Sequence, residues 1–365
     1  MKKKLLAFTI IGTMIASVAG CGSETSNEAT GQTEIPAQET ALGAQPDSTE
    51  TTASEPEIVL TWNEVNGEGY GAVEGAKVFK ETLEEVSGGT MTIELYLNGT
   101  LGNEQESMQG IQMGTLDIFR GNASSLPNYG AETIGVTGLP FLFSDMDDFE
   151  AMAVSQTGED LLNSVDEADC GYIALDWLVE GPRQLFITQA TYEKLGSPSE
   201  FTIDMMKGLK IRVPETDLMV NTMSALGASA TPIAYAELYT SLQSGVVDGA
   251  ENGVTSYASN SFNEVAPYFI TDAHTFGCGV ILMNKDKWNS LTEQQQEWMR
   301  QAGDAASLAC YEFNKKQEQE VFDSFESLGV TKLEVPDLEK WQEACSSVYS
   351  GYDPELVQKL ASSNY

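Results

Sequence analysis

Residues 58–97 read IVLTWNEVNGEGYGAVEGAKVFKETLEEVSGGTMTIELYL, and the hydrophobic period of this stretch changes twice. Residues 58–63 alternate and are rich in strand formers, and they end in a glycine-rich turn at residues 67–71. Val73, Ala76, Phe79, Leu83 and Val86 then recur at spacings of three and four, which predicts an amphipathic helix stopped by Gly88-Gly89. Residues 91–97 return to a strand pattern. A helix near residues 104–113 and a strand at 116–119 continue the series. This β-α-β-α-β rhythm predicts an α/β domain with a largely parallel sheet.

Working outward, residues 139–143 (LPFLF) form a buried apolar run, and Ser144 is placed to cap a helix carrying Phe149 and Met152. A second unit repeats the theme. Gly208-Leu209-Lys210-Ile211-Arg212-Val213-Pro214 reads as a strand, followed by a helix with Leu218, Met223 and Leu226 that Gly227 ends. Residues 235–242 read as a helix and 246–249 as a strand start or tight turn. Residues 172–177, 183–188 and 276–283 are strand-like, with some expected to cross between lobes. Thr292, or Ser290 with Glu293 three residues on, opens a long helix reaching about Leu328, with a break equally allowed.

Composition excludes several functions. The 365 residues carry 19 Lys+Arg against 55 Asp+Glu, a net charge of −36, which leaves no basic surface for neutralising phosphates. Nucleic-acid binding is not expected. A single histidine, His274, excludes multi-His metal sites and forces any histidine-dependent catalysis through one residue. No G-x-x-x-x-G-K-[ST] or G-x-S-x-G motif occurs, and the turn at 67–71 lacks the G-x-G-x-x-G spacing of a dinucleotide site. The chain is therefore not expected to be an enzyme or to hold a cofactor.

Residues 1–20 have the form of an export signal, with Lys2, Lys3 and Lys4 ahead of a short apolar run. The run ends Val18-Ala19-Gly20-Cys21, similar to the lipobox of bacterial lipoproteins, so Cys21 is the expected lipidation site. Residues 22–57 contain no aromatic residue, Lys or Arg, and with Cys21 they form an expected disordered acidic tether, residues 21–57. Setting aside the leader's three lysines and the tether's eight acids leaves about −31 on residues 58–365, so the folded part is itself acidic. Cys170, Cys278, Cys310 and Cys345 follow no metal-ligand spacing and are open to either disulfide or free-thiol readings.

Scarce cations stand out in such a chain. Arg212 faces opposite to Ile211 and Val213 in its strand, Arg183 precedes a strand in Glu180-Gly181-Pro182-Arg183-Gln184, and Arg120 and Asn122 leave the 116–119 strand on one face. Each arginine is equally readable as a structural ion-pair partner. Guanidinium nevertheless suits bidentate recognition of a carboxylate, and several converging arginines make a local anion site because charges beyond about 8 Å are screened at physiological salt. Tyr70 lies at the glycine-rich turn, where a cleft mouth is expected. His274 reads as a structural or rim residue. Of Tyr235 and Tyr239, at least one reads as core.

Several blocks, taken together, are specific. Leu101-Gly102-Asn103-Glu104 with Gly114-Thr115-Leu116-Asp117-Ile118, then residues 208–214, Gly227-Ala228-x-x-Thr231-Pro232, Glu237-Leu238-Tyr239-x-x-Leu242-Gln243 and Val247-Asp248-Gly249-Ala250-Glu251-Asn252, resemble the DctP-type substrate-binding subunits of TRAP (tripartite ATP-independent periplasmic) transporters. The resemblance implies a bilobed periplasmic-binding-protein-like α/β fold with hinge strands and a long C-terminal helix. It implies an N-lobe at about 58–180, a C-lobe at about 181–285 and a helical segment at about 290–365 packing across both. It also implies a monomer that captures an organic acid anion between the lobes and delivers it to the TRAP integral membrane subunits. By the same resemblance Arg212 pairs with the ligand carboxylate, with Arg183, Asn252, Asn122 and the loop from Glu64 to Tyr70 around it. Arg120, Tyr257 and His274 look like the branch that binds sugar acids such as glucuronate or galacturonate. Dicarboxylates or other organic acids, and service to an ATP-driven importer or a sensor, stay open alternatives. The expected location is extracytoplasmic, tethered to the cell membrane by the lipid on Cys21.

Overall fold

The computed structural model describes residues 56–363 and Tyr365. The leader, Cys21 and the tether up to residue 55 lie outside the described residues. Among the described residues there are nine strands: β1 (Ile58–Asn63), β2 (Met91–Tyr96), β3 (Ile118–Asn122), β4 (Tyr172–Ile187), β5 (Lys210–Val213), β6 (Ser229–Pro232), β7 (Gly249–Gly253), β8 (Tyr268–Asn284) and β9 (Thr331–Leu333). They form one mixed sheet in the order β2-β1-β3-β8-β4-β7-β5-β6, with β9 on β8.

The parallel expectation holds at both ends and fails in the middle. β1 pairs in parallel with β2 and β3, and β5 pairs in parallel with β6 and β7. Between these blocks run β4 and β8, antiparallel to each other and to their neighbours β7 and β3. β4 spans the Gly181-Pro182 pair as a single 16-residue strand. It does so with register shifts on either side, and Gly181 takes φ of 100°, where a side chain would be strained. The separate strands expected at 172–177 and 183–188 are thus one element.

The pleat explains how these two strands serve both ends of the sheet. In β4, Trp177 and Val179 enter one core and Leu178 the opposite one; further along, Leu185 and Ile187 enter a third and Phe186 a fourth. β8 alternates likewise, with Val280 and Leu282 on one face and Ile281 and Met283 on the other. Successive side chains point to opposite faces, so each strand helps build cores above and below the sheet. Both faces are covered at both ends.

The helix Glu293–Leu328 is continuous over 36 residues, and its cap is Thr292 in a capping box with Gln295, not Ser290 with Glu293. Met299, Ala302, Ala306 and Cys310 pack into the core beneath β1–β3, while Val321 and Phe325 pack with Phe186, Tyr257 and Phe269. One helix therefore backs both ends of the sheet. It lies close against the helix Gly71–Val86, since a Cβ on Gly71 would fall 2.2 Å from Asn314 Nδ2. That same amide donates to the Val179 carbonyl at 2.9 Å. The helix at Met146–Ala153 is capped by Asp145 rather than Ser144. Cys170, Cys278, Cys310 and Cys345 are free thiols.

Candidate functional site

The three arginines singled out by sequence come off three strands of the sheet: Arg120 from β3, Arg183 from β4 and Arg212 from β5. Together with Asn122 of β3, Asn252 of β7 and Tyr70 they line one small pocket of about 40 Å³. That is room for a group the size of a carboxylate, given that a water occupies about 30 Å³ of liquid. Val65, Glu104, Arg212, Pro214 and Tyr235 also line a cavity of about 710 Å³, so the small pocket is the inner end of a larger one. The larger volume falls in the range of about 300–1,000 Å³ typical of small-molecule sites.

Two of the arginines are spoken for by protein carboxylates. Arg183 makes a two-point pair with Glu251, Nε to Oε2 at 2.6 Å and Nη2 to Oε1 at 2.9 Å. Burial would push the Glu251 carboxyl up, but Arg183 and His274 more than offset it and hold the group down at about 2. Arg120 is paired with Glu180, whose other oxygen accepts from the Tyr70 hydroxyl at 2.6 Å. This pair lies flat across Gly279 of β8, where a Cβ would come within 2.5 Å of Arg120 Nε.

Arg212 differs. It is only 2% exposed, and its Nε donates to the Ile233 carbonyl at 2.8 Å. Among the described residues it forms no ion pair. Burial, with Arg183 adding to it, draws its pKa down to about 10 against the pull of Glu251, Tyr235 and Glu104, so it remains a cation at neutral pH. A buried guanidinium without a protein counter-ion is costly unless something else supplies the negative charge.

Glu64 and His274 sit elsewhere than the sequence reading put them. Glu64 is fully buried behind the pocket, accepting from the Asn66 backbone and side chain at 3.0 and 2.7 Å. Burial raises its pKa despite Arg120 nearby. His274 is no rim residue; it is wholly buried, with Nδ1 2.6 Å from Asp272 Oδ2 and Nε2 3.5 Å from Glu251 Oε2. Tyr257 is buried too, its hydroxyl donating to the Ala266 carbonyl at 2.9 Å.

Three carboxylates at the site were not singled out from sequence. Glu180 and Glu251 neutralise arginines, and Glu104 accepts from Asn122 Nδ2 at 2.9 Å and from Ser125 Oγ at 2.8 Å at the junction of pocket and cavity. Tyr235 lines both volumes and bonds Ser256 Oγ at 2.7 Å, and Tyr239 lines the outer one, so neither is a core tyrosine. No local signal marks Glu251, since its strand, residues 249–253, reads GAENG and carries no apolar run.

A second cavity, about 790 Å³, lies against the long helix. It presents Asp176, Asp304, Glu150 and one cation, Arg300. Burial raises Asp176 to about 7 there. Its one lining cation, Arg300, is exposed and lies over the Trp288 ring, unlike the buried Arg212.

The family of bacterial extracellular solute-binding proteins, family 7 (DctP), matches residues 62–355. A solute-binding protein of Roseobacter denitrificans is 32% identical over 260 residues, which cover 70% of this chain and 75% of that one. The solved structure of that protein, a TRAP periplasmic solute-binding protein with bound L-galactonate, matches with a TM-score of 0.76 at 27% identity, covering 86% of this chain and 100% of that one. A TRAP periplasmic solute-binding protein of Bradyrhizobium in complex with galacturonate matches with a TM-score of 0.76 at 28% identity, covering 83% and 99% of the two chains. The sialic acid-binding periplasmic protein SiaP of Vibrio cholerae is 28% identical over 294 residues, 80% of this chain and 88% of that one.

Proposed function

The chain belongs to family 7 of the bacterial extracellular solute-binding proteins, and from that premise we propose that it captures a sugar acid, with galacturonate or glucuronate the best fit, for a TRAP transporter. The observation that carries this reading is Arg212, a buried cation with no carboxylate of its own. The ligand carboxylate enters the inner pocket and accepts from the Arg212 guanidinium. Asn122, Asn252 and Tyr70 surround it with further polar groups. The sugar ring occupies the outer cavity.

That cavity favours a hydroxylated mono-acid over a dicarboxylate. Its charged lining residues besides Arg212 are Glu104 and Glu215, both carboxylates. They accept from hydroxyl groups and repel a second acid, so the lining both attracts the right ligand and penalises the wrong one. Relatives support the choice, since those of Roseobacter and Bradyrhizobium are described with bound galactonate and galacturonate. Binding without covalent change is the role this reading assigns, in keeping with a family of solute-binding proteins.

The lobe boundary near residue 180, with β4 and β8 crossing it, supports a hinge about which the two ends close on the ligand before delivery to the membrane subunits. The lipobox-like end of the leader supports attachment at the outer face of the membrane through Cys21. The test is a thermal-shift screen against uronates, aldonates, dicarboxylates and keto acids. A ligand that binds only the folded state raises its melting temperature by mass action. Uronates or aldonates are expected to do so; stabilisation by four-carbon dicarboxylates alone would overturn the assignment.

A further inference from the structure

β8 does not run evenly beside β4. Arg183 is opposite Thr275 whereas Leu185 is opposite Ile270, so two steps on β4 match five on β8. Residues 271–274 are thrown out as a bulge, and Ala273 takes φ of 44°, a conformation uncommon for a residue with a side chain. The bulge is held on several sides. Leu185 N donates to Asp272 Oδ1 at 2.8 Å, Phe141 N donates to the His274 carbonyl at 2.9 Å, and Thr271 Oγ1 donates to Glu334 Oε2 at 2.8 Å. Strain of this kind persists only where its surroundings over-determine it, and it concentrates at functional places.

The bulge delivers two side chains inward. Asp272 meets His274 Nδ1, and His274 Nε2 faces Glu251 Oε2, the oxygen that also accepts from Arg183 Nε. The result is a buried line of alternating charge, Asp272–His274–Glu251–Arg183, running from β8 through β7 to β4. Nε2 makes no hydrogen bond and meets Glu251 only as an ion pair at 3.5 Å, so a neutral imidazole serves Asp272 alone and only the imidazolium carries charge toward both carboxylates. We propose that His274 is a positioning residue for the anion site: it holds the Glu251 carboxylate against Arg183, so that Arg183 braces the pocket wall and Arg212 alone is left to meet the ligand. This rests on the sugar-acid reading of the pocket.

The titratable groups around His274 are Asp272 on its own strand, Glu251 on β7, Arg183 beyond Glu251, Arg212 acting on Glu251, and the Cys345 thiol beside Asp272. Burial works against a charged imidazole, but Asp272 and Glu251 outweigh it and raise the pKa to about 9. The sign follows: with a folded pKa above the ordinary value of about 6.5, the stabilisation is complete below that value and is lost as pH rises through about 9.

His274 is the only histidine of the chain, so full-length protein made without added histidines and labelled with ¹³C in the imidazole gives one ring signal. In the wild type that signal is expected to titrate near pH 9. Glu251→Gln should lower the midpoint by about one unit or more, and Arg183→Met should raise it, because Glu251 then serves His274 alone. A neutral imidazole at pH 7.5 in the wild type, or a midpoint that Arg183→Met leaves in place, overturns the proposal. By calorimetry, His274→Gln should bind D-galacturonate about tenfold more weakly or worse, and should lack the wild type's loss of affinity above pH 9; unchanged affinity overturns the proposal. If the wild type binds neither uronates nor aldonates, the sugar-acid reading falls, while the ring titration still decides whether His274 is coupled to Arg183.

Discussion

Arg212→Ala is expected to weaken sugar-acid binding by roughly 100-fold, about 2.7 kcal/mol, while leaving the ligand-free protein no less stable than the wild type. The two halves of this result have one cause. In the ligand-free state Arg212 is a buried cation that the protein does not neutralise, so removing it relieves a desolvation cost. In the complex the same cation is met by the ligand carboxylate, and its loss leaves that carboxylate in a pocket without a partner. Arg212→Lys should recover only part of the affinity, because an ammonium cannot donate two parallel bonds to a carboxylate. Calorimetry reads the affinity and thermal melting the stability. A variant that binds as tightly as the wild type would remove Arg212 from the site; one that melts far lower without ligand would make it a structural residue.

Glu251→Ala should do the reverse at the level of folding. Glu251 is fully buried and holds Arg183 through two bonds, with His274 at its other side. Its removal leaves Arg183 as a buried cation without its carboxylate and leaves His274 with Asp272 alone. Breaking one side of a buried pair typically costs about 3–5 kcal/mol, and that loss is expected in the urea midpoint. The carboxyl is held at about 2, below its usual value, so its contribution is present at neutral pH and disappears only as pH falls toward 2. Variants at Arg212 and Glu251 should thus move stability in opposite directions although both side chains belong to one charge cluster. Equal midpoints for Glu251→Ala and wild type would mean that Arg183 is paired by solvent or by another acid.

How much of this was legible in the sequence depends on whether a signal is local. The first β-α-β unit was legible because its period switches from two to 3.6 and back within residues 58–97, and strand-helix-strand packing follows from that switch alone. β4 was not. Gly181-Pro182 reads as an interruption, and only pairing with β8 along most of its length turns the interruption into a bulge. The arginines were legible because cations are scarce, 19 against 55 acids, and because each lies in or beside a strand. Their carboxylate partners were not, since among 55 acids nothing local marks Glu180 or Glu251 as the ones that fold against Arg120 and Arg183. The same blindness hid the difference that matters most: which arginine has no partner is a property of the packed sheet. For His274, read as structural or rim, the choice between the two was hidden for a related reason. Its burial depends on a bulge in β8 that arises from register and leaves no mark on residues 271–274 themselves.

A buried guanidinium with no ion-pair partner among the described residues selects an acid over a neutral sugar. The most direct measurement is a calorimetric titration of the wild-type protein with D-galacturonate beside D-galactose, which differs from it by lacking the carboxylate. The acid is expected to bind saturably and the neutral sugar not at all at the same concentrations. Comparable binding of D-galactose would contradict it.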